Sequence, residues 1–259
     1  MYMLPDTERM SITETPSSER VSTFVIEPLA PGYGMTIGHS LRRVLLTSLE
    51  GAAVAYVKIN GIDHEFTTLK GMKEDIVELI LNLKALRVRS ESTGPVVIHL
   101  EKKGPGVVTA GDFTPNSDVV ISDADHHLAT LDKNGKLSMD VTIERGRGYV
   151  PTERKGQEKL PLGTIAVDSI FSPIKRVHYE VEHTRVGGQT DYDKLTLELT
   201  TDGSVTPSEA MGRASQILVE HFGIIRDSSA AVTDVAADST EKKQPKKRTK
   251  KAATTEDSE

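Results

Sequence analysis

Apolar and polar positions follow two rhythms along this chain, one of period two and one of period 3.6, and the switches between them mark the elements. Thr23-Phe24-Val25-Ile26 is a short β-prone run closed by Pro28 and by the turn Pro31-Gly32-Tyr33-Gly34. A helix is predicted next, capped by Thr36 and ended by Gly51, because Ile37, Leu41, Val44, Leu45 and Ser48 recur at helical spacing. That stripe faces a core. At roughly 100° of rotation per residue, Leu46 and Leu49 fall on the opposite side, with Arg42 and Arg43 at its flanks. A helix that is apolar fore and aft needs cover on both sides, either from another chain or from one large core of its own.

Val54 to Ile59 reads as a strand, and Asn60-Gly61 supplies a tight turn into a hairpin partner over Ile62 to Phe66. Glu74 and Asp75 open a second helix, where acidic groups suit the helix dipole, with Ile76, Leu79, Ile80 and Leu83 as its apolar face and Lys84 and Arg87 at its end. From Pro95 to Val167 the pattern is strand and turn throughout. It runs through Val96 to Leu100 and Val119 to Ile121, then Leu137, Met139, Val141 and Ile143 after the turn Asn134-Gly135. Strands return at Val177, Tyr179 and Val181 and at Leu195, Leu197 and Leu199. Thr206-Pro207-Ser208-Glu209 starts a last helix, with Ala210, Ala214, Ile217, Leu218 and His221 on one face and an end near Gly223. The fold class is therefore α+β with few helices.

Composition narrows the chemistry. With 4% aromatics and no Trp, the core must be built from Val, Ile and Leu, and the absence of Cys excludes disulfides and thiolate metal sites. No apolar run approaches the roughly 20 residues of a membrane span, and the polar start lacks a secretion signal, so a cytoplasmic protein without membrane contact is expected. A net charge of -6 argues against a globally basic nucleic-acid binder. The exception is local: Lys242, Lys243, Lys246, Lys247, Arg248, Lys250 and Lys251 form a basic run within a tail, 228–259, expected to be disordered. Such a tail is either a solvated chain or a phosphate-binding arm.

Catalytic motifs fail one by one. There is no phosphate loop, nucleophile elbow or His-Glu-x-x-His, and Gly146-Arg147-Gly148 reads as a structural turn. The adjacent His126 and His127 point apart on a strand and read as solvated loop residues, while Asp191 and Asp193, on one side of a strand or a turn, offer two carboxylates without a third ligand. No catalytic residue and no cofactor are expected in this chain.

The run Ile26-Glu27-Pro28-Leu29-Ala30-Pro31-Gly32-Tyr33-Gly34-Met35-Thr36-Ile37-Gly38-His39-Ser40-Leu41-Arg42-Arg43-Val44-Leu45-Leu46 resembles the signature of the alpha subunit of bacterial RNA polymerase. The resemblance continues through Val57 to Gly61, His64-Glu65-Phe66, Glu74 to Lys84, Glu144 to Pro151, Phe171-Ser172-Pro173 and Thr190 to Leu195, covering roughly 21–226. It implies a dimerisation subdomain over 1–51 and 169–227, an inserted β-rich subdomain over 52–168, and a homodimer that recruits the beta and beta-prime subunits as part of a nucleotidyltransferase complex. It places Arg42, Arg43, His64, Glu65 and Phe66 against beta and, in the other copy, Lys84 and Val167 against beta-prime. The dimer contact is expected from Leu41, Leu45, Leu46, Leu49, Ile217 and Leu218. His39 departs from the family's usual Asn. The basic tail stands where the family carries a small DNA-binding domain, so DNA is expected to be met through the holoenzyme and weakly through the lysines. Two rivals stay open: a free-standing nucleic-acid-binding protein, and a metal-dependent enzyme using Asp191 and Asp193.

Overall fold

The computed structural model describes residues 10–155 and 160–241, with side chains up to residue 229. Its architecture is α+β, and every sheet pairing is antiparallel. The first sheet has the order β1-β2-β14-β13, from β1 (Ser11–Ser18), β2 (Val21–Leu29), β13 (Ile174–Val186) and β14 (Gln189–Thr201). On β2, Ser22, Phe24 and Ile26 are buried while their neighbours are half-exposed, the period-two pattern of a strand with one face on a core. The helix α1 (Tyr33–Thr47) lies on β13 and β14. Gly34 and Gly38 let it approach closely: a Cβ at Gly38 would stand 2.7 Å from the Tyr179 ring and 2.9 Å from Leu195. Leu41, Leu45, Leu49, Leu195, Leu197 and Ala214 share the core beneath.

The second sheet has the order β5-β9-β3-β4-β7, with β11 also on β3. Its strands are β3 (Glu50–Ile59), β4 (Val88–Ser90), β5 (Val96–Lys103), β7 (Val119–Ile121), β9 (Lys136–Arg147) and β11 (Thr164–Ala166). Two ribbons accompany it, β6 (Gly106–Thr109) with β8 (His127–Leu131), and β10 (Tyr149–Val150) with β12 (Ser169–Ile170). The helix α2 (Ile76–Ala85) buries Ile76, Leu79 and Leu83 in a second apolar core that includes Val57, Leu100, Leu128, Leu137 and Val141. A single turn, α3 (Thr152–Lys155), follows β10. The helix α4 (Pro207–Glu241) starts with Thr206 Oγ1 accepting from the Glu209 amide at 3.3 Å. The chain divides into a compact unit through Leu218 and a second unit from Val219, which is the outer part of α4.

Several expectations are corrected. The helix α1 is preceded by Gly32 in the left-handed region (φ 83°), so Thr36 lies inside it, and it ends at Thr47; Gly51 belongs to β3. Gly61 does make a turn (φ 82°), yet 62–66 form no strand, because β3 is already paired with β9 and β11. Asp75 caps α2, accepting from the Glu78 amide at 2.7 Å, while Glu74 is buried and takes the Thr130 amide and hydroxyl at 2.6 and 2.8 Å. His127 starts β8 beside Glu74, and the half-buried His126 ring meets the Asn82 carbonyl at 2.9 Å. Asp191 and Asp193 lie in β14, the strand of the two readings, and Gly146-Arg147 end β9, with Gly148 (φ 65°) turning the chain just beyond it. The last helix passes Gly223 and runs to Glu241, so the tail is helical as far as that residue. The polar stretch Ser11–Ser18 is an exposed edge strand that its composition did not announce.

A Cβ at Gly51 would overlap the Phe171 carbonyl oxygen, a backbone atom that cannot rotate away. Gly51→Ala is expected to lower stability by about 2–3 kcal/mol. Gly212→Ala, on α4 with open space around it, is expected to raise stability by about 0.5–1 kcal/mol. Thermal denaturation of the two variants beside the parent checks both signs.

Candidate functional site

Two separate depressions on the compact unit collect the residues that the sequence singled out. The first is built on α1. Its helical spacing puts His39, Arg42, Arg43 and Leu46 on the outward side, where they line, with Thr47 and Tyr179, a depression of about 410 Å³. Arg42 and Arg43 are exposed, and among the described residues neither guanidinium has an ion-pair or hydrogen-bonding partner. Their helix is fixed at its start by Asp193, which is buried and accepts the Gly34 amide at 3.0 Å. That bond occupies one carboxylate of the proposed metal pair. Among the described residues no cluster of three or more metal-ligating side chains occurs.

The second depression, about 250 Å³, is lined by Glu65, Phe66, Val77, Leu81, Lys84 and Asp168. It brings together residues assigned to two different partners. Phe66 is 80% exposed and Leu81 57%, an outlay of apolar surface that a stable monomer gains nothing from. His64 is exposed next to them in sequence but does not line the depression. At the rim, Lys84 Nζ donates to Asp168 Oδ2 at 2.8 Å and lies 5.5 Å from the centre of the Tyr149 ring. Asp168 also accepts from the Tyr149 hydroxyl and from the Thr152 amide, both at 2.9 Å. These donors, Lys84 first, hold the Asp168 carboxyl down at about 2, and its charge in turn raises Lys84 and Tyr149. Val167, expected as a partner contact, is fully buried and donates its amide to the Ala55 carbonyl at 2.9 Å, so it acts on the rim only by placing Asp168.

The expected dimer residues divide in the same way. Leu41, Leu45 and Leu49 are buried in the core of their own chain, at 5%, 0% and 4% exposure, because Leu49 follows the end of α1 and turns inward. Leu46, Ile217 and Leu218 are half-buried against that core. The exposed apolar side chains on α4 are Val219, Phe222, Ile224 and Ile225, beyond or beside the point where the helix was expected to stop. The basic run Lys242 to Lys251 lies outside the described residues. No described helix is long and apolar enough to cross a membrane.

Residues 57–172 match the family described as the RNA polymerase Rpb3/RpoA insert domain. The chain is 55% identical over 199 residues to the DNA-directed RNA polymerase subunit alpha of Symbiobacterium thermophilum, covering 77% of this chain and 63% of that one. It is 49% identical over 212 residues to the subunit of the same name from Clostridium botulinum, covering 82% and 67%, and 47% identical over 227 residues to that of Alkaliphilus oremlandii, covering 88% and 72%. The chain belongs to the alpha-subunit family of DNA-directed RNA polymerase. It spans a little under two thirds of the length of the first of these relatives.

Within this alpha-family chain, Asp168 was not picked out from sequence, since it stands in no periodic pattern or motif and only its place beside Val167 hinted at it; Tyr149 entered within the Glu144 to Pro151 stretch but with no role assigned. The free-standing nucleic-acid-binding alternative finds no support in the relatives' names, and it rests on the lysine run outside the described residues.

The Asp168 interaction carries a pH signature. A carboxyl that titrates at about 2 in the folded chain and at 3.8 when free adds stability that is fully present above about pH 4 and is lost as pH falls toward 2; the gap is worth about 2 kcal/mol. Asp168→Asn is expected to lose about that much at pH 7 and nearly nothing at pH 2, read as converging urea midpoints across that window.

Proposed function

We propose that the chain works as a homodimeric assembly platform of a bacterial-type RNA polymerase, binding the beta subunit through Arg42, Arg43 and the His64-Glu65-Phe66 segment. Lys84 serves the beta-prime subunit, and the chain supplies no catalytic group. The observation that carries this reading is the pair of exposed, unpartnered arginines on a helix locked to its sheet at Gly34 and Gly38. A guanidinium already engaged with its own chain has little left for a partner. A free one, on a helix whose backbone is fixed to its sheet, can grip a partner carboxylate with two parallel hydrogen bonds. Phe66 beside Leu81 and Val77 offers the apolar anchor that such interfaces concentrate around. The complex acts in DNA-templated nucleotidyl transfer and meets DNA chiefly through its large subunits.

Self-association is assigned to α4, where Phe222 and Ile225 stand one turn apart and exposed. Phe222→Glu would place a charge in that contact and is expected to give monomers in light scattering, where the parent chain gives dimers.

The decisive experiment on the platform is co-purification of the tagged full chain with its own cell's large subunits. The wild type is expected to bring down both. Arg43→Ala, still dimeric, is expected to recover at least about tenfold less beta. A wild-type dimer that recovers neither large subunit would overturn the function.

A further inference from the structure

Lys155 is a buried cation with no carboxylate at ion-pair distance among the described residues, although the charges of Glu144 and Asp168 act on it from further off. It is 7% exposed, and among the described residues it forms no ion pair. Its ammonium has three donors and finds three oxygens: the Val167 carbonyl at 2.8 Å, the Ala55 carbonyl at 3.2 Å and Ser169 Oγ at 2.6 Å. The Tyr56 ring lies 5.2 Å from the nitrogen. Ser169, itself fully buried, passes its own hydrogen to the Val54 carbonyl at 2.6 Å. A lysine kept from water in this way costs stability unless each N–H is satisfied, and burial pushes its pKa down, so such a residue is an expensive way of filling space. The place it occupies gives the reason. The ladder between β3 and β9 slips at Ala55, leaving that residue opposite no partner, and at this point the Val54 and Ala55 carbonyls accept from the chain returning through 167–169.

Asp168 lies between the two residues that Lys155 grips. Its side chain accepts from Lys84, from Tyr149 and from the Thr152 amide, and not from Lys155. The single turn α3 therefore clasps the segment twice, with its first amide on Asp168 and its last side chain on Val167 and Ser169. We infer that Lys155 is a positioning residue for the Lys84 rim: by tying residues 167–169 to the β3 bulge it fixes where Asp168 stands, and through Asp168 where Lys84 presents its charge. This rests on the reading of Lys84 as a contact to the beta-prime subunit.

The test uses the full-length dimer and has two readouts. One is titration of the Asp168 carboxyl by carbon NMR, and the other is recovery of the cell's beta-prime subunit with the tagged chain. In Lys155→Met, Asp168 is expected to titrate measurably nearer its ordinary 3.8 than its native value of about 2, and beta-prime recovery to fall to the level of Lys84→Ala, with beta recovery and dimerisation retained. The chain has no cysteine, so in Lys155→Cys the single thiol can be aminoethylated in denaturant before refolding. Restoring the ammonium is then expected to restore both readouts, which a mere packing role would not require. An Asp168 titration unchanged in Lys155→Met, or no recovery on aminoethylation, overturns the inference. If the Met variant does not fold, Lys155→Gln takes its place with the same two outcomes. If Lys84→Ala still recovers beta-prime, the assignment of Lys84 has failed instead, and the Asp168 titration alone decides the role of Lys155.

Discussion

β3 is hydrogen-bonded along both edges, to β9 on one side and to β4 and β11 on the other, and where its register slips at Ala55 the carbonyls of Val54 and Ala55, deep in the protein, accept from outside the sheet. A buried carbonyl left without a donor costs about 1–3 kcal/mol, so the chain must come back to this strand with donors in hand. It does so with the Val167 amide, the Ser169 hydroxyl and the Lys155 ammonium. That one requirement fixes the path of residues 164–170, and the path sets the rest. β11 extends the sheet, β12 pairs with β10, and Asp168 is delivered to the end of α2.

In the assembly proposed above, the two depressions would meet their partners with opposite electrostatic preparation. On α1 the cations are bare, so a partner carboxylate faces no competitor, and the attraction is felt at a distance as well as on contact. On α2 the cation is already neutralised by Asp168, and what remains exposed is mainly apolar, Phe66 with Leu81. A surface of this second kind steers weakly but discriminates by shape, because a poorly matched partner would have to desolvate the Lys84–Asp168 pair without replacing its hydrogen bonds. One chain can therefore offer two partners distinct chemistries without any moving part.

How much of this was legible in sequence depended on whether the signal was local. α2 was readable because Asp75, the Ile76-Leu79-Leu83 spacing and Lys84 all agree within ten residues. The edges of α1 were misread because Gly32 starts it from the left-handed region, a role no side-chain cap announces. Gly223 looked like a helix end. Inside a helix, however, a glycine costs only about 1 kcal/mol relative to Ala, less than the gain from continuing the helix. The turn at Asn60-Gly61 was read correctly, but its second strand was not: pairing along β3 is decided by β9 and β11, about 80 to 110 residues further on. The arginines were found because they interrupt an apolar helix. Asp168 and Lys155 were missed, since a single charged residue in a mixed stretch acquires its meaning only from what folding sets opposite it.

Those two charged residues also show why burying polar groups near an interface is worth its cost. An apolar replacement at position 155 could fill the same volume, yet it would leave residues 167–169 held to β3 only by the Val167 amide and the Ser169 hydroxyl and freer to shift against α3, because apolar contact is not directional. Three hydrogen bonds of fixed length from one nitrogen remove that freedom. The gain is in definition of the surface more than in stability, and it is passed outward one bond at a time, from the bulge through Asp168 to Lys84. The platform proposed above would need that definition where its surface lies on short strands and a single helical turn instead of on a long helix.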